Sequence, residues 1–90
     1  MNAFHALVSG EVQGVGFRYS AARKATSLRL FGWVRNTEEG DVEVWAEGDT
    51  RALEEFESWL WQGPSSARVC EVKVNPQQPR GWYVSFEIAF

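Results

Sequence analysis

The feature of the sequence that most limits its possible folds is a change in hydrophobic period early in the chain. The segment Phe4–Val12 alternates apolar and polar side chains, with Leu7 as the one exception, which is typical of a half-buried strand. The next segment has apolar residues at every third or fourth position, which predicts a helix over Phe17–Leu28. The narrow apolar face of this helix consists of Phe17, Ala21, Ala25 and Leu28.

The rest of the chain continues to switch between the two periods. The predicted elements, in chain order, are a strand at 30–37, a strand at 42–48, a helix within 48–64, a strand at 67–74 and a strand at 82–90. A turn at 38–41 joins the second and third strands into a hairpin. Asp49 is a suitable N-cap for the second helix, and Gly63 with Pro64 ends it. We expect 75–81, which contains two prolines, to be a loop.

This order of elements predicts an α+β fold in a single domain over residues 1–90. It is a ferredoxin-like α/β sandwich (βαββαβ plus a C-terminal fifth strand), with two helices on one face of a mostly antiparallel sheet. In this arrangement the first two strands run parallel with the third between them, so their C-terminal ends meet at one edge. The loop after the first strand should therefore lie near Asn36. If Val34 rather than Trp33 is the core residue, Asn36 faces the helices.

Charge and cysteine content narrow the range of partners and compartments. The net charge is −3, and an acidic chain does not attract polyphosphate through its overall field, so we expect no nucleic-acid partner. Cys70 is the one cysteine, which fits a reducing compartment. The first residues do not resemble a signal peptide, and no apolar run has the length of a membrane span. We expect a cytoplasmic monomer without membrane contact.

The loop between the first strand and the first helix has an unusual composition. Within GEVQGVGFRYS, residues 10–20, three glycines fall in seven positions and Arg18 follows. Glycines permit positive φ, and consecutive N–H groups at a helix N-terminus attract anions. An arginine adds a forked cation that suits phosphate oxygens. The alternative is a tight turn followed by a solvated arginine. The spacing fits neither a Walker loop nor a dinucleotide fingerprint.

Several motifs together resemble the acylphosphatase family. They are SGEVQGVGFR, then GWVRN, GDVEVWAEG and GPSSARVCEV, and they extend over nearly the whole chain. The resemblance implies the ferredoxin-like fold predicted above. It also implies an enzyme that hydrolyses the carboxyl-phosphate bond of a small-molecule acyl phosphate, giving a carboxylate and inorganic phosphate. No metal and no cofactor is implied.

The resemblance also implies roles for particular residues. Arg18 binds the phosphate with its guanidinium, and Asn36 orients the attacking water. The phosphate is held mainly by backbone N–H groups of Gln13, Gly14, Val15, Gly16, Phe17 and Arg18. One departure is Arg29, where the family often has glycine after the first helix. Either Arg29 takes the left-handed conformation, at a cost of roughly 1 kcal/mol, or the helix ends differently.

Other chemically active residues are better explained as structural. By alternation, His5 lies on the face without helices, and Cys70 is in step with Val72, which predicts a small buried residue. Trp59 and Trp61 cannot both face the core from one helix. If the chain formed a dimer, its candidate contact residues would be the aromatics expected at the surface, Phe31, Trp45 and Trp61.

Two alternative functions are compatible with the same order of elements. An RNA-recognition domain presents aromatic and basic residues on the open face of its sheet, but here Trp45 is flanked by Glu43 and Glu47, which would repel phosphates. A module that binds phosphate and turns over slowly is the second alternative. An assay of acyl phosphate hydrolysis separates both from an acylphosphatase.

Overall fold

The structure, a computed structural model, describes residues 1–90 and confirms the predicted order of elements. The strands and helices are β1 (Asn2–Glu11), α1 (Phe17–Ser27), β2 (Phe31–Asn36), β3 (Val42–Gly48), α2 (Thr50–Gln62), β4 (Arg68–Gln77) and β5 (Phe86–Ile88).

The strands form one sheet in the order β4-β1-β3-β2-β5. All neighbouring pairs are antiparallel except β2 and β5, which are parallel. Because β3 is antiparallel to both β1 and β2, the last two run in the same direction and end at the same edge of the sheet. The ferredoxin-like α+β fold predicted from the sequence is confirmed. The loop after β1 and the end of β2 are the elements that this topology brings together.

The hydrophobic core lies between the sheet and the two helices. Helix α1 buries Phe17, Ala21 and Ala25, and helix α2 buries the predicted residues Leu53, Phe56 and Leu60. On β2, Val34 is completely buried in this core, whereas Trp33 lies on the opposite face. Asn36 is two residues beyond Val34 and therefore faces the helix side, as the parity argument requires.

The ends of both helices follow the sequence expectations. The Asp49 carboxylate accepts a hydrogen bond of 3.1 Å from the Arg51 backbone N–H and so caps α2. Helix α1 ends at Ser27, and Arg29 takes the left-handed conformation with φ of 59°. Of the two possibilities for Arg29, the strained one is therefore observed, and it costs about 1 kcal/mol relative to glycine.

The predicted fifth strand is mostly wrong. Only Phe86–Ile88 pairs with β2, and the side chains of Trp82 and Val84 are exposed rather than aligned with Phe86 in the core. The chain before β5 instead crosses the open face of the sheet as a loop, residues 78–85. The predicted end of β4 is also wrong, since the strand continues to Gln77 through Pro76. A proline is tolerated there because β4 is an edge strand.

The prediction that Cys70 is a small buried residue is wrong as well. The pairing of β1 with β4 shifts between Ser9 and Gly10, so that Glu71 faces Ser9 and Val69 faces Gly10. Cys70 is the extra residue of this β-bulge, and its side chain is exposed. The bulge reverses the parity of β4, and Val69 packs against the core instead.

Residues 78–85 cover the open face of the sheet above Trp45. The guanidinium of Arg80 lies 4.2 Å from the centre of the Trp45 ring, which is only 7% exposed, so the expectation that Trp45 is a surface aromatic is wrong. Glu47 is completely buried beside it and accepts hydrogen bonds from Trp45 Nε1 (2.7 Å), Arg80 N (2.8 Å) and Gly81 N (3.0 Å). This carboxylate therefore joins the loop to β3.

The contacts of Glu47 make the stability of the fold depend on pH. Burial raises the pKa of Glu47, but the hydrogen bonds from Arg80, Trp45 and Gly81 and the charge of Arg80 outweigh burial, so the pKa lies below its usual value. Ionised Glu47 therefore stabilises the fold above the unfolded-state pKa. This contribution is lost as the pH falls through the lower, folded-state pKa.

We expect Glu47→Gln to lower the free energy of unfolding at pH 7 by about 2 kcal/mol, because an amide replaces a carboxylate that accepts three hydrogen bonds. Urea denaturation of the variant and the wild type between pH 7 and pH 3 measures this. The difference between the two proteins should shrink towards the acid end. A difference that does not change with pH would contradict a role for the charge of Glu47.

Candidate active site

The loop between β1 and α1 presents backbone donors that the chain itself does not use. Gly14 and Gly16 have φ of 75° and 77°, and Gly16 is the N-cap of α1. No side chain caps this helix, and its first turn contains no acidic residue. The backbone N–H groups of residues 14–18 donate no hydrogen bond within the protein. Free N–H groups at a helix N-terminus form an anion-binding site.

The two glycines are needed for backbone conformation and not for packing. A Cβ built on Gly14 or Gly16 would meet no atom within 4 Å. Their positive φ, however, is a conformation that other residues adopt only at a cost. The space above the loop is therefore open to a ligand.

A cavity of about 170 Å³ lies above this loop. Four of the residues predicted to hold phosphate line it, namely Gly14, Gly16, Phe17 and Arg18. Asn36 lines the same cavity, so the structure brings together Arg18 and Asn36, which the topology had predicted to be neighbours. Gln13 and Val15 do not line it. Four further residues line the cavity that were not predicted from the sequence, namely Val12, Tyr19, Ile88 and Phe90.

Asn36 has a polar atom with no partner in the protein. Its Oδ1 is buried and accepts no hydrogen bond. Leaving a buried polar atom unsatisfied costs about 1–3 kcal/mol, so such atoms are rare and are usually explained by a ligand, a water molecule or a catalytic role. Asn36 thus supplies an unused acceptor on a residue that lines the cavity together with the loop.

Arg18 brings an uncompensated positive charge to the cavity. No carboxylate forms an ion pair with it, although four other ion pairs occur in the protein. Its guanidinium carbon lies 5.1 Å from the centre of the Phe90 ring. This contact uses the face of the guanidinium, so the N–H groups at its edge are free to donate hydrogen bonds. The cavity thus combines a cation, free N–H donors and one free acceptor.

Two side-chain contacts hold the loop against its surroundings. The Gln13 amide nitrogen donates to the backbone oxygens of Thr37 and Asp41, both at 2.8 Å, and so ties the loop to the β2–β3 hairpin. The Ser66 hydroxyl donates to the backbone oxygen of Val15 at 2.8 Å. Gln13 and Val15 therefore position the loop next to the end of β2 with groups other than their N–H donors.

His5 lies outside this cavity, as the alternation predicted. Its Nε2 is 2.7 Å from the Glu43 carboxylate, which also accepts from Arg35 Nε at 2.6 Å. Burial raises the pKa of Glu43, but the hydrogen bonds and charges of His5 and Arg35 hold it below its usual value. This cluster lies on the face of the sheet without helices and is explained as a structural ion pair.

Other candidate sites are not supported by the geometry. No three His, Cys, Asp or Glu side chains lie close enough to hold a metal ion. Of the two tryptophans on α2, Trp59 packs against Phe17 and Phe56, and Trp61 is exposed. No helix is long and apolar enough to cross a membrane.

Comparisons with known proteins agree on one family. The family model Acylphosphatase matches residues 4–88. The acylphosphatase of Acaryochloris marina is 47% identical over 83 residues, which cover 92% of this chain and 88% of that protein. The acylphosphatase of Methylococcus capsulatus is 44% identical and covers 98% of this chain and 96% of its own length. The crystal structure of the acylphosphatase from Bacillus subtilis superposes with a TM-score of 0.96 at 34% identity, with complete coverage of both chains.

Proposed function

The chain belongs to the acylphosphatase family and is a hydrolase of acyl phosphates, and we propose that the reaction takes place in the cavity between the β1–α1 loop and the end of β2. The observation that carries this proposal is the unpartnered buried Oδ1 of Asn36 in the same cavity as the unpaired guanidinium of Arg18. The first is an acceptor for a water molecule, and the second is a donor to an anion.

The phosphoryl group is bound by the backbone N–H groups of residues 13–18 and by the Arg18 guanidinium. These donors address the equatorial oxygens, on which charge accumulates in the transition state of phosphoryl transfer. Each charge-assisted hydrogen bond contributes about 1.5–3 kcal/mol. Several such hydrogen bonds are sufficient to bind phosphate without a basic surface, which is consistent with the net charge of −3.

Asn36 orients the attacking water. Its Oδ1 accepts a hydrogen bond from the water and so holds the water oxygen in line with the bond that breaks. An amide is not an effective base, so the proton passes from the water to a phosphate oxygen of the substrate. The water oxygen bonds to phosphorus, the bond from phosphorus to the carboxyl oxygen breaks, and its electron pair leaves with the carboxylate. The products are one carboxylate and one inorganic phosphate.

This reaction places few demands on acid catalysis. A carboxylate is already a good leaving group, so positioning and charge stabilisation supply most of what is needed. No histidine, aspartate or glutamate side chain lines the cavity, which agrees with a mechanism in which no side chain of the protein acts as general acid or base.

We expect the purified protein to hydrolyse benzoyl phosphate in the presence of a metal chelator at the same rate as without it, with inorganic phosphate as a competitive inhibitor. Steady-state kinetics with and without the chelator measures both. Competitive binding of phosphate with no turnover would instead support the slow phosphate-binding module. Absence of both turnover and phosphate binding would overturn the proposed site.

The RNA-recognition alternative is disfavoured by the covered face of the sheet. Such a domain stacks bases on aromatic side chains of the open face. Here Trp45 lies beneath Arg80, and Glu43 and Glu47 flank it along β3. The Trp45 ring is therefore not free to stack with a base.

A further inference from the structure

A groove beside the catalytic cavity has no role in binding the phosphate. It lies between α1 and β5 and has a volume of about 630 Å³. Its apolar wall consists of Tyr19, Ala22, Phe86, Ile88 and Phe90. Tyr19 and Phe90 are both exposed to solvent, so large apolar side chains face water along the groove without a partner in the protein. Exposed apolar surface next to a site is a common sign of ligand binding.

The groove is continuous with the cavity. Tyr19, Ile88 and Phe90 line both, and the Phe90 ring lies over the guanidinium of Arg18. In an acyl phosphate, a single oxygen separates the phosphorus from the acyl carbon. The acyl group of a substrate whose phosphate contacts Arg18 is therefore close enough to reach this apolar wall.

The position of Asn36 agrees with this direction for the acyl group. In-line displacement places the attacking water and the leaving group on opposite sides of the phosphorus. Asn36 lines the cavity but not the groove. Asn36 on β2 therefore contacts the water, whereas residues of α1 and β5 line the groove.

The polar residues that line the groove do not favour a charged acyl group. Arg23 and Glu87 both line it and carry opposite charges, and the remaining polar groups are the hydroxyls of Thr26 and Ser27. The Arg23 guanidinium lies over the Tyr19 ring, 5.8 Å from its centre. An extended apolar acyl group matches this lining better than a small polar one.

On the basis of the proposed function, we infer that this groove is the acyl-binding subsite of the enzyme and that it favours acyl phosphates with a longer apolar acyl group over acetyl phosphate. Tyr19 and Phe90 are the residues that determine this specificity. Burial of one methylene is worth roughly a factor of four in binding, and an open groove provides about half of that free energy, or roughly a factor of two.

The test is a comparison of acetyl, butyryl and hexanoyl phosphate, whose leaving groups have nearly the same chemistry. We expect kcat/KM of the wild type to rise with chain length, to about tenfold higher for hexanoyl than for acetyl phosphate. Tyr19→Ala should lower this ratio by at least about threefold, and Tyr19→Phe should restore it, because the ring supplies the apolar wall. Trp61→Ala, which removes an exposed aromatic residue from α2, is the matched control and should leave the ratio unchanged.

The outcomes separate the inference from the proposed function. Hydrolysis of acetyl phosphate with no increase along the series would overturn the inference and leave the function intact. An increase that Tyr19→Ala does not reduce would also overturn it, since the selectivity would then come from another surface. Failure to hydrolyse any of the three compounds would overturn both.

Discussion

Arg18→Ala is expected to lower kcat/KM for benzoyl phosphate by at least about two orders of magnitude. The guanidinium has no carboxylate partner in the protein, so its donors are free for the phosphate. Two charge-assisted hydrogen bonds are worth about 3–6 kcal/mol, and each 1.4 kcal/mol corresponds to a factor of ten in rate. Competitive inhibition by inorganic phosphate should disappear together with activity, because the same contacts hold substrate and product.

Two further variants show whether catalysis needs the planar guanidinium of Arg18 or only its positive charge. Arg18→Lys keeps the charge but loses the paired geometry, and it should recover only part of the activity. Arg51→Ala removes an exposed arginine from the first turn of the other helix and should behave as the wild type. If Arg18→Ala retained both turnover and phosphate inhibition, the assignment of the phosphate site to this cavity would be wrong.

Asn36→Ala should also lower kcat/KM by about two orders of magnitude or more, the scale for losing one donor or acceptor that positions the reacting groups. Inhibition by inorganic phosphate should remain, since the loop and Arg18 are unchanged. Inhibition constants measured alongside kcat/KM separate this variant from Arg18→Ala. Asn75→Ala, which alters an exposed asparagine on β4, is the matched control and should have full activity.

Stability distinguishes a catalytic role for Asn36 from a structural one. The wild-type Oδ1 is buried without a hydrogen bond, so its removal relieves an unsatisfied acceptor. We expect Asn36→Ala to be as stable as the wild type, or more stable by up to about 1 kcal/mol, in urea denaturation. A variant that lost activity together with several kcal/mol of stability would indicate that Asn36 supports the fold instead.

The sequence predicted the fold and the meeting of Arg18 and Asn36 at one cavity because both depend on regular patterns. Phe17, Ala21 and Ala25 are buried at helical spacing, and Val34 is buried with the parity that aims Asn36 at the helix side. Strand order then follows from the rules for short connections, so residues far apart in sequence could be placed at one edge. The approach of Arg18 to Asn36 needed no knowledge of individual contacts.

The predictions for β4 and for the fifth strand were wrong because hydrophobic periodicity does not show a β-bulge or the path of a loop. The bulge at Cys70 inserts one residue and reverses the parity of the strand, and the only sequence signal for it is Gly10 on the opposing strand. A Cβ at Gly10 would lie 2.2 Å from the Arg68 backbone oxygen, so the strands approach closely at this point. The alternation of Trp82 and Val84 resembles a strand, although the chain there follows the contacts of Arg80 and Glu47 instead.

The sequence failed to predict the lining residues Tyr19 and Phe90 for a similar reason. Tyr19 follows Arg18 on a helix and is exposed, and its position gave no sign that it borders the cavity. Phe90 reaches Arg18 because β5 runs parallel to β2 and returns the chain to the loop edge. That contact depends on the path of residues 78–85, which the alternation pattern had assigned to a strand.

The two outer strands of the sheet are both poor templates for aggregation. One edge is β5, which has only three residues. The other edge is β4, which is ten residues long but carries the bulge at Cys70, a lysine at position 73 and Pro76, which has no N–H to donate. Free strands with such interruptions resist the pairing with another sheet that begins fibril growth. We therefore expect the irregularities of β4, which also made the parity argument fail there, to disfavour edge-to-edge association of this enzyme.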